Sequence, residues 1–237
     1  MARTTRLDTD VDLLGFAGDD GLLFESTEHG VAGRGEALRM PLPTGAARPT
    51  DTADVVAAAL GEIEVDDEVG RPGTGAVAFA ALPFDDGAEA CALVPSLLVG
   101  RSTDGTRWLT RIGTRADSGD GGGVEPSGGG SNGAGPSRFS VTSSRAPADW
   151  CGSVAAARDR IRSGALTKVV LARELVVEAD EVLSPAEILG RLREGYPSAY
   201  RFSIDGFVGA SPELLVSRGG DIVRSQPMAG TAPRSGD

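Results

Sequence analysis

At 237 residues the chain is long enough to form one large domain with a core of its own. Its 34 Asp and Glu against 23 Lys and Arg argue against a surface for nucleic acid or anionic membrane, and fit a protein kept in solution by its charge. Cys91 and Cys151 make neither a disulfide framework nor a paired metal motif, and no apolar run suits a membrane span or a secretory leader, so a soluble cytoplasmic protein with reduced thiols is expected.

Residues 1–20 are polar and aspartate-rich, and several of their positions are expected to fray. Gly21 to Glu25 reads as the first strand, and Val31 to Met40 as a glycine-containing turn followed by another. His29, the only histidine, lies in a turn between Glu28 and Gly30, where a surface role is expected. Pro49 to Ile63 reads as a helix, with Thr50 or Asp51 as cap and Val55, Val56, Ala59, Leu60 and Ile63 at helical spacing. Gly70 to Gly75 leads into Ala76 to Leu82, whose continuous apolar character predicts a strand buried on both faces. Leu93 to Val99 and Arg107 to Ile112 follow as strands of an antiparallel sheet.

Asp117 to Arg138 is glycine, serine and proline with almost nothing apolar, so it reads as a flexible loop. No Lys-Ser or Lys-Thr follows it, and no strand–loop–helix unit frames it, so a nucleotide site is not expected there. Order returns at Ala148: Trp150, Val154, Ala157, Arg158 and Ile161 share a helical face, Pro147 suits the first turn and Gly164 the stop. Leu175 to Glu178 is a strand, and Ser184-Pro185-Ala186-Glu187 is a capping box for a helix from Pro185 to Glu194 that buries Ile188, Leu189 and Leu192. Tyr200 to Ile204 and Phe207 to Ala210 form a hairpin about Asp205-Gly206, a type I′ signal. Leu214 to Ser217 then pairs with Ile222 to Ser225.

Two stretches carry the residues with chemical promise. Lys168-Val-Val-Leu-Ala-Arg173 is short and β-branched and predicts a buried strand opening on Lys168. Such a lysine has two fates: it snorkels to water, or it points into a cavity where desolvation lowers its pKa and makes it a base. In Gly209-Ala-Ser-Pro-Glu-Leu-Leu215 the proline breaks a strand and leaves Glu213 at the kink beside an apolar run, a place where carboxylates are candidate general acids or are simply solvated.

These two stretches, with Pro227-Met-Ala-Gly-Thr-Ala-Pro-Arg234 in this order and spacing, resemble the chorismate-utilising enzymes and specifically isochorismate synthases. Ala81-Leu-Pro-Phe-Asp85 is similar to a segment in their amino-terminal half. The resemblance implies an α+β fold of the anthranilate/aminodeoxychorismate synthase type, with layered antiparallel sheets and flanking helices. It is expected to be a single incomplete domain, 1–237, with an amino-terminal sheet and helix region (1–115), the Gly/Ser-rich loop (116–139) and the start of the catalytic region (140–237).

Function follows from the same resemblance: an isomerase acting on chorismate, with Lys168 as general base, Glu213 as general acid, and Gly230 and Thr231 lining the substrate pocket. Lys168 favours water over ammonia as nucleophile; salicylate synthases, anthranilate and aminodeoxychorismate synthase components, and a non-catalytic truncated relative remain open. Arg234 has a substrate carboxylate or the bare surface as its alternatives. Magnesium is the implied cofactor, with its glutamate ligands expected beyond Asp237, since Glu174, Glu178 and Glu187 match no ligand motif. The expected partner is chorismate, with no nucleic acid, no membrane, and a monomer at full length. A truncated chain is further expected to leave open sheet edges and an uncovered apolar face and to be inactive alone. Whether the product serves menaquinone, a catechol siderophore or salicylate stays open.

Overall fold

The computed structural model describes residues 1–43, 49–83, 89–114 and 135–230, and divides into two compact units, Met1–Gly130 with Ser184–Asp237, and Ser131–Leu183. The first unit begins with β1 (Ala2–Arg6), α1 (Leu13–Ala17), β2 (Leu22–Glu25), β3 (Gly30–Arg34), β4 (Leu38–Leu42) and α2 (Pro49–Gly61). It continues with β5 (Val65–Asp67), β6 (Phe79–Ala80), β7 (Ala90–Val94), β8 (Leu97–Arg101) and β9 (Arg107–Ile112). The second unit holds β10 (Phe139–Ser143), α3 (Pro147–Arg162) and β11 (Leu175–Ala179). The chain then returns to the first with α4 (Pro185–Gly195), β12 (Tyr200–Ile204), β13 (Phe207–Ser211), β14 (Leu214–Gly219) and β15 (Ile222–Gln226).

The first unit is built on an eight-stranded sheet in the order β13-β12-β2-β3-β8-β9-β1-β5, antiparallel except where β1 meets β5. Alternation along the strands sends Leu23, Ala32, Val99 and Leu109 to one face, where Leu13, Leu14, Phe16 and Ala17 of α1 and Leu189 of α4 complete a buried cluster. Leu22 and Leu98 point the other way and meet Phe79 and Leu93 of a three-stranded sheet, β4-β7-β6. A third cluster joins Ala2 and Ile112 to Met40, Leu42, Ala92 and Val94, with Val56, Ala59, Leu60 and Ile63 packed on it from α2 and the turn after it. The layered α+β class is therefore as expected. Ser184 caps α4 by accepting a hydrogen bond from the Glu187 amide at 3.1 Å, and its hydroxyl donates to Asp19.

Five expectations need correction. Of the three residues expected to be buried on α4, Leu189 alone is; Leu192 is partly buried and Ile188 exposed, because one face of the helix stays outside the core. Residues 1–20 do not fray: Ala2 and Thr4 alternate inward, Thr4 shares a hydrogen bond with Thr110 at 2.8 Å, and the apolar run Leu13, Leu14, Phe16, Ala17 anchors α1 in the core. Ala76 to Leu82 pairs only at Phe79–Ala80, and Leu82 is exposed, because only the short β6 reaches β7. Leu93 to Val99 is two strands, since Pro95 cannot donate to a ladder and the chain reverses there from β7 to β8. Lys168 to Ala172 forms no strand at all. The expected loop falls mostly on residues 115–134, and Phe84 and Asp85 on 84–88, outside the described residues.

Within the second unit, β10 and β11 form a two-stranded antiparallel pair from Phe139↔Ala179 to Ser143↔Leu175. All of β10 is exposed and α3 buries no residue. A two-stranded ladder of this kind gains little from its own contacts. Among the described residues no helix is long and apolar enough to cross a membrane.

Candidate active site

The local fold around Glu213 follows from the β12–β13 hairpin. Asp205 and Gly206 adopt φ of 50° and 83°, the left-handed pair of a type I′ turn, and pair Ile204 with Phe207, Phe202 with Gly209 and Tyr200 with Ser211. Gly209 lies under the Phe202 ring: a Cβ there would stand 2.7 Å from Phe202 Cζ, so any larger residue would have to push the tip of the ring aside. Phe202 and Phe207 stack at 5.2 Å between centroids. The ladder stops at Ser211 because Pro212 has no amide proton. The Ser211 hydroxyl then donates to the Glu213 carbonyl at 3.3 Å and accepts from the Glu213 amide at 3.2 Å, which fixes the kink. Glu213 is exposed at the entry to β14.

Lys168 lies in the second unit. The end of α3 is closed by the amides of Ala165 and Leu166, both donating to Arg160 O at 2.9 and 3.1 Å, and the chain then runs without helix or strand from 168 to 174. Lys168 is exposed and Val170 is 81% exposed, so the buried strand predicted from this run is absent. An apolar run becomes a buried strand only where other strands take up its backbone groups, and among the described residues pairing begins later, at Leu175.

Gly230 is described, exposed, and has open space about it, since a Cβ built there meets nothing within 4 Å. Thr231, its predicted neighbour in the substrate pocket, and Arg234 lie outside the described residues. Lys168 thus belongs to one unit and Glu213 and Gly230 to the other. Among the described residues no group of three or more His, Cys, Asp or Glu converges to hold a metal. Magnesium needs several oxygen ligands at one point, and Glu178, for example, is taken by the Ser140 hydroxyl at 3.1 Å. The described residues therefore do not fit that ion.

Two polar contacts were not among the expectations drawn from the sequence. Glu25 and Arg201, each 2% exposed in its side chain, form a buried pair at 3.0 Å between β2 and β12, and Arg101 approaches the same carboxylate at 3.7 Å. Arg201 also donates to the carbonyls of Ala199 and Pro197 at 3.0 and 3.2 Å, so it ties the loop before β12 to the amino-terminal strands. On the other side, Arg39 of β4 grips Asp205 through two hydrogen bonds, Nη1 to Oδ2 at 3.0 Å and Nη2 to Oδ1 at 3.1 Å. Those bonds hold the Asp205 carboxyl below its ordinary range against a smaller opposing effect of burial. The Cys91 thiol beside it is pushed up by burial and by Asp205. Only the second contact left a sequence signal: a two-residue turn at Asp205-Gly206 makes Phe202 and Gly209 opposite neighbours and puts an acid at the tip.

This layered α+β chain has the architecture of a chorismate-utilising enzyme. The sequence pattern described as chorismate binding enzyme matches residues 103–237, and the chain belongs to that family. A solved structure from Bacillus anthracis, provisionally assigned as the 2,3-dihydroxybenzoate-specific isochorismate synthase DhbC, superposes over 97% of this chain and 52% of its own, with a TM-score of 0.58 and 26% identity. A Mycobacterium tuberculosis protein provisionally assigned as the isochorismate synthase MenF is 41% identical over 104 residues, 38% of this chain and 28% of that protein. The anthranilate synthase component 1 of Acetivibrio thermocellus is 38% identical over 100 residues, 40% of this chain and 20% of that protein. The chain therefore spans about half of the solved relative, and its sequence matches reach less than a third of either of the other two.

Proposed function

We propose that this chain serves an isochorismate synthase, in which water adds at one carbon of the chorismate ring while the hydroxyl two carbons away leaves. Water forms the new C–O bond and gives its proton to neutral Lys168; the ring double bonds shift; the old C–O bond breaks and its oxygen takes a proton from Glu213. Atoms balance, so the reaction is an isomerisation. Water is a poor nucleophile and hydroxide a poor leaving group, which is why a base and an acid on opposite ring faces are needed. Each must sit near neutrality in pKa, and neighbours that exclude water move both groups in the required direction. Lys168 and Glu213 are both exposed, so each role asks for neighbours beyond those that the described residues place around it.

What supports the proposal is the order Lys168–Arg173, Gly209–Leu215, Pro227–Arg234 within the stretch that belongs to the family. Gly230 and Thr231 are proposed to line the pocket, the glycine by letting the backbone approach the ring and the threonine by holding a ring oxygen. Magnesium is carried over from the resemblance alone, and no step is assigned to it. Location in the cytoplasm rests on composition. A second reading is favoured by the anthranilate synthase match at similar identity, in which ammonia replaces water.

The test uses the polypeptide at the full length its reading frame encodes, supplied with chorismate and magnesium in heavy-oxygen water. Isochorismate carrying the heavy oxygen, and a loss of roughly 10²- to 10⁴-fold in turnover in both Lys168→Ala and Glu213→Gln, are expected. Anthranilate formed from added ammonia would decide for the second reading. Salicylate with pyruvate release would decide for a salicylate synthase, and no turnover by the unsubstituted protein for a non-catalytic relative.

A further inference from the structure

We propose that Arg39 is a positioning residue for Glu213: by gripping the tip of the β12–β13 hairpin it holds the strand that delivers this carboxylate in one register. The proposal rests on the assignment of Glu213 as the acid and adds a residue that no motif marks. The guanidinium is itself oriented from behind, since its Nε donates to Glu36 Oε2 at 2.9 Å, and Nη1 also reaches the Cys91 sulfur at 3.3 Å. Its planar fork matches the Asp205 carboxylate only in one orientation, which fixes direction as well as distance. Arg39 stands on the three-stranded sheet and Asp205 at the tip of an edge hairpin of the large sheet, so the contact joins the two layers.

An edge hairpin needs such a device. Among the described residues β13 bonds only to β12, and a ladder with one free edge has its register set by the turn and by the side chains facing each other. Asp205 at φ 50° sets the turn, and Gly209 makes room for the Phe202 ring opposite it, so a register that brings a side chain there has to push the ring aside. A slip by one residue would carry Ser211 and Glu213 about 3.3 Å along the strand, several times the displacement that reacting groups tolerate. Arg39 at the tip and Gly209 midway therefore guard the same alignment, and the Ser211 hydroxyl passes it to the Glu213 backbone.

Amide hydrogen exchange tests the first link and turnover the second. Asp205→Gly keeps the left-handed turn and removes the carboxylate together with the Cβ restraint on the backbone; Arg39→Ala removes the fork and leaves the turn untouched; Arg39→Lys keeps the charge. Exchange at the ladder amides of β12 and β13 should rise roughly 3- to 10-fold in Asp205→Gly and Arg39→Ala, less in Arg39→Lys, with β8 and β9 unchanged. Unchanged exchange in Asp205→Gly overturns the grip. In the full-length polypeptide, Arg39→Ala should lower kcat by a similar factor with KM unaltered, and Arg39→Lys should recover part of it. If Glu213→Gln abolishes turnover while Arg39→Ala loosens the hairpin without lowering kcat, the acid stands and the positioning role is overturned. If Glu213→Gln turns over normally, the acid assignment falls and the positioning of it falls too, with the exchange result untouched.

Discussion

The hairpin that ends at Ser211 and the segment that starts at Lys168 are both expected to be strands, yet they end in opposite states. Tyr200 to Ile204 lies between two strands of a large sheet, under α4 and beside a buried ion pair. Lys168 to Ala172 has no ladder within its unit, and its valines and leucine face outward. Hydrophobic residues acquire a buried strand from their neighbours, not from their own sequence. The proposed catalytic lysine accordingly sits on a stretch without a ladder, and the proposed acid just past the end of one, exposed at the entry to β14.

The largest effect should come from the supported side. Arg201→Met removes the nearer partner of the buried Glu25 carboxylate, leaving Arg101 at 3.7 Å as its remaining cation, and should cost up to about 3–5 kcal/mol, read by denaturant unfolding. Replacing both partners, as Glu25→Leu with Arg201→Met, should cost clearly less than the single change, because no buried carboxylate is then left and Arg101 keeps its bonds to the Ser26 and Thr27 carbonyls. A double variant as unstable as the single would show that Arg201 acts through its bonds to Ala199 and Pro197 instead.

Acid should weaken the described surface loops in a defined direction. The Asp104 carboxyl is held low by hydrogen bonds, first from the Ser102 hydroxyl and then from the Thr106 amide, and Asp180 by the Ser137 hydroxyl and the Arg138 amide. Burial alone would raise Asp67, but bonds from the Thr74 hydroxyl and the Val69 and Gly70 amides outweigh it. A carboxyl lowered on folding contributes stability above its unfolded pKa of about 3.9, and that contribution is lost as pH falls through the folded value. Thermal midpoints should therefore be flat from pH 7 to about 5 and decline below about 4. The gap between the unsubstituted chain and Asp104→Asn should narrow over that decline; a gap constant down to pH 3 would mean that Asp104 does not contribute through its charge.

Much of the fold was legible because local signals sufficed. Asp205-Gly206 specified a turn, Ser184 to Glu187 specified a cap, and Pro212 specified where a ladder stops. What was not legible depended on residues far apart in the chain. Nothing near Ala2 or Thr4 announces that Thr110 lies opposite, and Glu25 and Arg201 are a sequence apart until β2 and β12 pair. Of the candidate site, the kink at Glu213 could be read from Ser-Pro alone. The setting of Lys168 could not, because alternation predicts which way a side chain points within a sheet and not whether a sheet is there.

The smallest expected effect lies at Val170. Val170→Ser in a buried strand would remove a packed side chain and cost about 1.5–3 kcal/mol, whereas at a site 81% exposed it should stay within about 0.5 kcal/mol in the isolated chain. A large loss of stability in the 237-residue chain would mean that the segment packs in solution as its sequence suggests, restoring the desolvated setting that a neutral Lys168 needs. A silent substitution there, combined with lost turnover in the full-length polypeptide, would instead place the requirement for Val170 in surroundings that the segment gains outside its own unit.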